Sequence, residues 1–187
     1  YKDLVRIQEN SPESRIVLAD FYANIGREDE AIRVFNEILT DAPETARARY
    51  RLAEIYLDRR EFEKVRTEIE HLLAVNDTDS EALMLRARLR LQENKTEEAI
   101  KDLEDVLKKQ PSQKNALFFM AQARLAIGQI DQARAFIGDL ERYHPTFLRA
   151  DLLKIQASFA AGQPEMALRQ ANELFETAGR SYPNADM

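Results

Sequence analysis

The chain contains no cysteine, and this absence excludes disulfide bonds, thiolate catalysis and most zinc sites. It has only 5 glycines and 6 prolines in 187 residues, few for a protein built from short strands and turns. No apolar run approaches the ~20 residues of a membrane-spanning helix, so we expect no direct membrane insertion. The net charge of −6 lacks the basic excess of a general nucleic-acid-binding protein, so we expect no nucleic-acid partner.

Sequence motifs for catalysis or cofactor binding are also absent. The sequence has no glycine-rich phosphate loop, no nucleophile elbow and no His–Glu helix motif. The two histidines, His71 and His144, share no spacing that would indicate a metal site. We therefore predict no catalytic residue, no metal and no cofactor, and we expect that the chain is not an enzyme.

The residues that are abundant favour helices. Ala, Leu, Glu, Arg and Gln dominate the sequence, and all of them are strong helix formers. Hydrophobic residues make up 44% and charged residues 32% of the chain, a balance typical of a folded protein rather than a disordered one.

Two segments of the sequence match at a fixed distance. They are "REDEAIRVFNEIL", residues 27–39, and "NKTEEAIKDLEDVL", residues 94–107. Ala31 and Ala99 are 68 residues apart, which is twice a step of 34. At that step from Ala31 stand Val65, Ala99, Ala133 and Ala167, and at that step from Ala19 stand Ala53, Ala87, Ala121 and Ile155. The small side chains in these two series predict close approach of two successive helices in each unit.

Two further series have a physical reason. Gly26, Gly128 and Gly162, with Asn94, stand where a turn between two helices needs a positive φ. At Arg60, in the same place of the second repeat, we expect either mild strain or a turn of different geometry. The acidic series is Asp29, Glu63, Glu97, Asp131 and Glu165. A carboxylate in the first turn of a helix interacts favourably with the helix dipole, so these acids are predicted to be structural rather than catalytic.

A 34-residue helix–turn–helix unit with small residues at its eighth and twentieth places, Gly near the fifteenth and Pro near the thirty-second resembles the tetratricopeptide repeat. The resemblance implies an all-α protein, an α-α superhelix (solenoid) of five repeats with a partial leading helix. The predicted units are 12–45, 46–79, 80–113, 114–147 and 148–181. Residues 1–11 match the end of a preceding, truncated repeat, and residues 182–187 are expected to be a frayed end. Because the chain starts at Tyr1, we expect a fragment of a longer protein.

The resemblance also suggests a binding surface, because the first helix of each repeat lines the concave face in this family. The fifth, ninth and twelfth places of a repeat are spaced i, i+4, i+7 and form one stripe. The predicted partner-binding groove consists of Met84, Arg88, Leu91, Phe118, Gln122, Leu125, Gln156 and Phe159. In a competing interpretation, the apolar stripe of repeats 3 and 5 has rotated, and Leu85 and Leu153 are buried in place of the Leu that Arg86 and Lys154 replace.

The function expected from this resemblance is a protein–protein interaction scaffold that recruits a protein or peptide partner. Residues 143–168, "YHPTFLRADLLKIQASFAAGQPEMAL", are similar to repeats of bacterial envelope proteins serving exopolysaccharide export and surface-protein sorting. One alternative is a homo-oligomerising segment, such as a homodimer. Another is a substrate-docking arm of an enzyme whose catalytic domain lies elsewhere. The absence of cysteine fits the bacterial cytoplasm and the periplasm equally.

Overall fold

The structure, a computed structural model, describes residues 11–181 and the side chains of residues 11–177. Over residues 11–181 it contains ten α-helices and no strand. They are α1 (Pro12–Asn24), α2 (Glu28–Asp41), α3 (Ala46–Asp58), α4 (Phe62–Val75), α5 (Ser80–Gln92), α6 (Thr96–Lys109), α7 (Lys114–Ala126), α8 (Ile130–Tyr143), α9 (Leu148–Ala160) and α10 (Pro164–Ser181). The predicted leading helix and the predicted frayed end lie outside the described residues.

The helix starts follow the step found in the sequence. The odd-numbered helices begin at residues 12, 46, 80, 114 and 148, and the even-numbered helices begin at 28, 62, 96, 130 and 164. Both series advance by 34 residues without an insertion. The prediction of five helix–turn–helix repeats is therefore confirmed.

The turn between the two helices of each repeat has the same backbone geometry in all five repeats. Gly26, Gly128 and Gly162 have φ values of 78°, 74° and 72°, and Arg60 and Asn94 have φ values of 60° and 61°. Residues with side chains avoid this region, so the structure selects strain at Arg60 over a turn of different geometry. The following amide closes each turn by donating to the carbonyl five residues earlier, a typical helix C-cap.

The described helices form two compact units, which divide between Leu89 and Arg90. In the first unit, Phe35, Leu52 and Val65 from α2, α3 and α4 are fully buried in one core. The predicted close approach of α1 and α2 agrees with the complete burial of Ala19 and Ala31. Small side chains at these places let the helix axes come close enough to exclude water.

The second unit has its own core between α7, α8 and α9. Leu117, Ile137, Leu140 and Leu153 are buried there, with Ala121 at the contact of α7 and α8. Leu153 is 2% exposed, and in the first unit Leu85 is 3% exposed. Both leucines are core residues, as the interpretation of a rotated apolar stripe predicted.

Arg90, which departs from the usual repeat pattern, forms a buried ion pair. Its guanidinium lies 2.5 Å from the Asp102 carboxylate and 3.4 Å from that of Glu98. The Asp102 side chain is only 4% exposed. A buried carboxylate needs a cation and a hydrogen bond to offset its desolvation, and Arg90 supplies both. This ion pair thus connects α5 and α6, the two helices of the third repeat.

Candidate functional site

The structure divides the predicted groove residues between the two units. Met84 and Arg88 belong to the first unit, whereas the other six belong to the second. Met84 is 8% exposed, so it is buried, contrary to the expected exposure. Arg88 is half-buried, and its guanidinium lies 3.6 Å from the carboxylate of Asp58. The unit boundary falls within α5, and Leu91, on its last turn, is half-buried.

Phe118 is a core residue, which corrects the expectation that its ring is exposed. The residue is only 3% exposed. Its ring makes edge-to-face contacts with Phe119 at 5.4 Å and with Phe147 at 5.7 Å, measured between centroids. The Arg149 guanidinium covers the ring at 4.0 Å from its centroid. Phe147 ends the same repeat and Arg149 belongs to the next one, so a pattern within a single helix could not reveal this burial.

One stripe of α9 remains exposed and apolar. Leu148, Leu152 and Phe159 are 51%, 50% and 71% exposed. Gln156 is also exposed and lies between them on the same face of the helix. Leu152 stands one repeat after the buried Phe118, but in the described part of the chain no further first helix follows α9 to cover it.

The neighbouring helix α7 extends this surface, because α7 and α9 pack against each other. Gln122 and Leu125 of α7 are half-buried and stand one repeat before Gln156 and Phe159. We call the resulting surface the α7–α9 face, which consists of Gln122, Leu125, Leu148, Leu152, Gln156 and Phe159. Four of its members belong to the predicted groove. Leu148 and Leu152 were left out of that prediction. Residues 148, 152 and 156 are spaced by four, and this spacing indicates that both leucines share a helix face with Gln156.

The first helices of the first unit present charge instead. The Asp20 carboxylate accepts hydrogen bonds from Arg51 at 2.6 Å and from Arg47 at 3.2 Å. Arg51 also lies 2.5 Å from Glu54. These four side chains satisfy one another, so this surface forms a closed network of ion pairs rather than an apolar stripe.

Two titratable groups beside this network have shifted pKa values. Burial, a hydrogen bond to Asp79 and its negative charge raise the pKa of the Tyr50 phenol far above its ordinary value. The pKa of the Glu81 carboxyl is also raised, first by partial burial and then by the carboxylates of Asp79 and Glu54. The ionised forms of both groups are therefore disfavoured in the folded protein.

Arginines of two arginine-rich runs, residues 47–51 and 86–90, are paired with carboxylates. Arg49 lies 2.9 Å from Glu68, with both side chains largely buried. Arg47 and Arg51 bind Asp20, as described above, and Arg90 binds Asp102. Each of these guanidinium groups already has a carboxylate partner, which reduces the attraction for phosphate groups.

The remaining candidate residues have structural surroundings. The five acids of the repeated acidic series all lie in the first turn of an even-numbered helix. His144 contacts the carbonyl oxygen of Ser112 through Nε2 at 2.6 Å, and His71 is exposed. Within the described residues, no three His, Cys, Asp or Glu side chains are grouped to hold a metal ion. The described helices also include none that is long and apolar enough to cross a membrane.

The comparisons with known proteins agree with this architecture. The family model for the tetratricopeptide repeat matches residues 26–89 and 90–154. No curated protein matches the chain.

Solved structures give the same fold. The chain is similar to TTC0263, a thermophilic TPR protein in Thermus thermophilus, at 18% identity over 94% of this chain and 93% of that one, with a TM-score of 0.75. It is similar to MamA 41-end from Desulfovibrio magneticus RS-1 at 13% identity over 95% and 98%, with a TM-score of 0.75. YrrB, a TPR protein with an unusual peptide-binding site, gives 14% identity over 92% and 90%, with a TM-score of 0.64. These likenesses confirm the predicted all-α fold of tandem repeats.

Proposed function

Because the chain belongs to the tetratricopeptide repeat family, we propose that it is a protein-interaction scaffold that binds a peptide segment of a partner on its α7–α9 face. The observation that carries this proposal is the exposure of Leu148, Leu152 and Phe159, each at least half exposed on one stripe of α9. Contiguous apolar side chains left in water are uncommon on a monomer surface and are typical of interaction sites.

The chemistry of the face indicates the kind of segment that fits it. Leu152 and Phe159 are spaced i, i+7 and offer two apolar contacts along the helix. Gln122 and Gln156 lie beside them, and an amide side chain both donates and accepts hydrogen bonds. An extended or amphipathic segment with apolar anchors could bury its side chains against the leucines and Phe159 and pair its backbone with the glutamines. The similarity to YrrB, described as having a peptide-binding site, supports this class of function.

This role is recruitment, and it requires no bond-making chemistry. The carboxylates beside the first helices of the first unit are paired with arginines, and the repeated acids lie at helix starts. We therefore propose that this chain holds a partner and is not itself an enzyme.

The test uses peptides selected from a random display library on the intact chain. Binding of each selected peptide is measured by titration calorimetry to the wild type, to Leu152→Ala with Phe159→Ala, and to Phe175→Ala. Phe175 is the control, since it is 76% exposed and belongs to α10 rather than to α7 or α9. Truncation of a true anchor costs more than about 1 kcal/mol of binding free energy, so the double variant should bind at least about fivefold more weakly.

The proposal is contradicted if the double variant binds as well as the wild type, or if Phe175→Ala weakens binding equally. Circular dichroism of each variant shows whether the helices remain intact. Light scattering across a concentration series tests the alternative of a homodimer through the same face. In that case the wild type gains mass with concentration, and the double variant stays monomeric.

A further inference from the structure

One register position changes character in the last repeat. At the eleventh place of the repeats stand Tyr22, Tyr56, Arg90, Arg124 and Ser158. The first four are large side chains, whereas Ser158 is small, and it is 2% exposed. The last repeat therefore has a small buried side chain where every earlier repeat has a phenol or a guanidinium.

The residue facing this position is also truncated. In the fourth repeat the Arg124 guanidinium reaches the preceding even-numbered helix and lies 3.0 Å from Glu104. One repeat later the corresponding residues are Ser158 and Gly138. The ion pair that joins α6 and α7 therefore has no counterpart between α8 and α9, because both positions carry small residues. Space remains where the two larger side chains would lie.

That space is a crevice of about 310 Å³ within the second unit, between α8, α9 and α10. Its wall includes Ile137, Gly138, Ala157, Ser158, Met166 and Gln170. The Gln170 Oε1 atom is buried and has no hydrogen-bond partner in the described part of the chain. A buried polar atom without a partner is costly, so a ligand that bonds to it gains more than it would at an exposed amide.

Two polar bridges border the crevice. Arg134 of α8 donates to Gln163 Oε1 at 2.8 Å, and Lys154 of α9 donates to Glu141 Oε1 at 2.7 Å. The bridge to Glu141 raises the pKa of Lys154, despite an opposing effect of burial. The lining thus contains two cations and one anion, a balance that disfavours a cationic ligand group.

We propose that this crevice is a pocket for a single tyrosine side chain supplied by a partner segment. The pocket itself is a property of this chain, and only the claim that a partner supplies the tyrosine rests on the proposed scaffold function. The phenol would occupy the place that Tyr22 and Tyr56 occupy in the first two repeats. Its volume is sufficient, because an engineered cavity of roughly 150 Å³ already accepts benzene.

The lining favours a phenol over other side chains of similar size. A hydroxyl group both donates and accepts, so it can bond to Gln170 in either orientation of the amide. The Met166 thioether makes favourable contacts with an aromatic ring. The Lys154 and Arg134 cations both border the crevice, and a cation is attracted by the face of an aromatic ring but repels a guanidinium.

The test is an NMR titration of the intact chain with three probes: 4-methylphenol, toluene and methylguanidinium. We expect 4-methylphenol to shift the backbone amides of Gly138 and Ser158 and the side-chain amide of Gln170, with a Kd on the order of 1 mM for so small a ligand. Toluene should bind at least about threefold more weakly, because it cannot bond to Gln170.

Two variants close the pocket from opposite walls. Ser158→Tyr introduces the phenol that Tyr22 has at the same place of the first repeat. Gly138→Glu introduces the carboxylate that Glu104 has at the same place one repeat earlier. Each should weaken 4-methylphenol binding at least about tenfold. Asn172→Tyr, which adds the same ring at an exposed position of α10 outside the crevice, should leave it unchanged. Gly138→Glu also carries the test if Ser158→Tyr fails to fold.

The pocket assignment is overturned if 4-methylphenol causes no saturable shifts, if methylguanidinium binds better, or if the filled variants bind as the wild type does. These outcomes concern the pocket alone. The scaffold function is tested separately by the peptide-binding experiment. It fails if the selected peptides bind without using the α7–α9 face. A selected peptide that loses affinity for Ser158→Tyr and also when its tyrosine is replaced by phenylalanine would link the two.

Discussion

Truncation to alanine should lower the free energy of unfolding strongly at Phe118 of α7 and only slightly at Phe159 of α9. Phe118 is 3% exposed and packs against two aromatic rings and a guanidinium. Removing a buried phenylalanine to alanine costs ~3–5 kcal/mol of unfolding free energy, because it leaves a cavity. Phe159 is 71% exposed, so less than a third of its surface is covered. Full burial of such a side chain contributes ~1.5–3 kcal/mol, so Phe159→Ala should cost less than about 1 kcal/mol.

The measurement is urea unfolding of the two variants, followed by far-UV circular dichroism and compared with the wild type. Phe118→Ala should lower the midpoint strongly, and Phe159→Ala should leave it nearly unchanged while weakening peptide binding. Equal losses of stability, or a larger loss for Phe159→Ala, would refute the distinction between core and surface on these helices. A stable Phe118→Ala variant with reduced binding would instead restore Phe118 to the binding surface.

Three further changes test the repeat geometry and the local charge. Ala133→Leu should cost ~1–3 kcal/mol by overpacking the contact of α7 and α8, whereas exposed Ala135→Leu should cost little; thermal unfolding compares them. Arg60→Gly should stabilise the protein by roughly 1 kcal/mol, because Arg60 has a positive φ that glycine adopts without strain. Asn94→Gly should stabilise it less, because Asn tolerates that region. If chemical denaturation shows that neither variant is more stable than the wild type, the inference of strain is wrong. Glu81→Gln should raise the melting temperature at neutral pH, because the raised pKa of Glu81 means that its ionised form is disfavoured in the folded protein. That gain should shrink as the pH falls through the raised pKa and vanish below the ordinary value of 4.5.

The binding surface proposed here is smaller than the groove predicted from spacing. The fifth place of a repeat points toward the neighbouring first helix, so its exposure depends on whether such a helix covers it. Phe118 is covered by α9, whereas Leu152 at the same place of the next repeat is half exposed. Spacing along one helix therefore groups these residues on one stripe, but it does not identify which members of the stripe are exposed.

The sequence by itself determined the repeat architecture. A step of 34 residues, small residues such as Ala19 and Ala31, and turn residues such as Gly26 were sufficient to place ten helices, because these signals are local in the chain. The conformation of Arg60 was one of two outcomes expected from its register, and the structure selects the strained one, since the turn imposes the same φ on the residue at that place.

Only the tertiary structure decided which side chains remain exposed and where space is left. Phe118 is covered by the ring of Phe147 and the guanidinium of Arg149, and Asp102 pairs with Arg90 from another helix. The crevice beside Ser158 is lined by two small residues from different helices, Gly138 and Ser158. Burial and cavities depend on side chains brought together from distant positions, and no periodicity within a single helix contains that information.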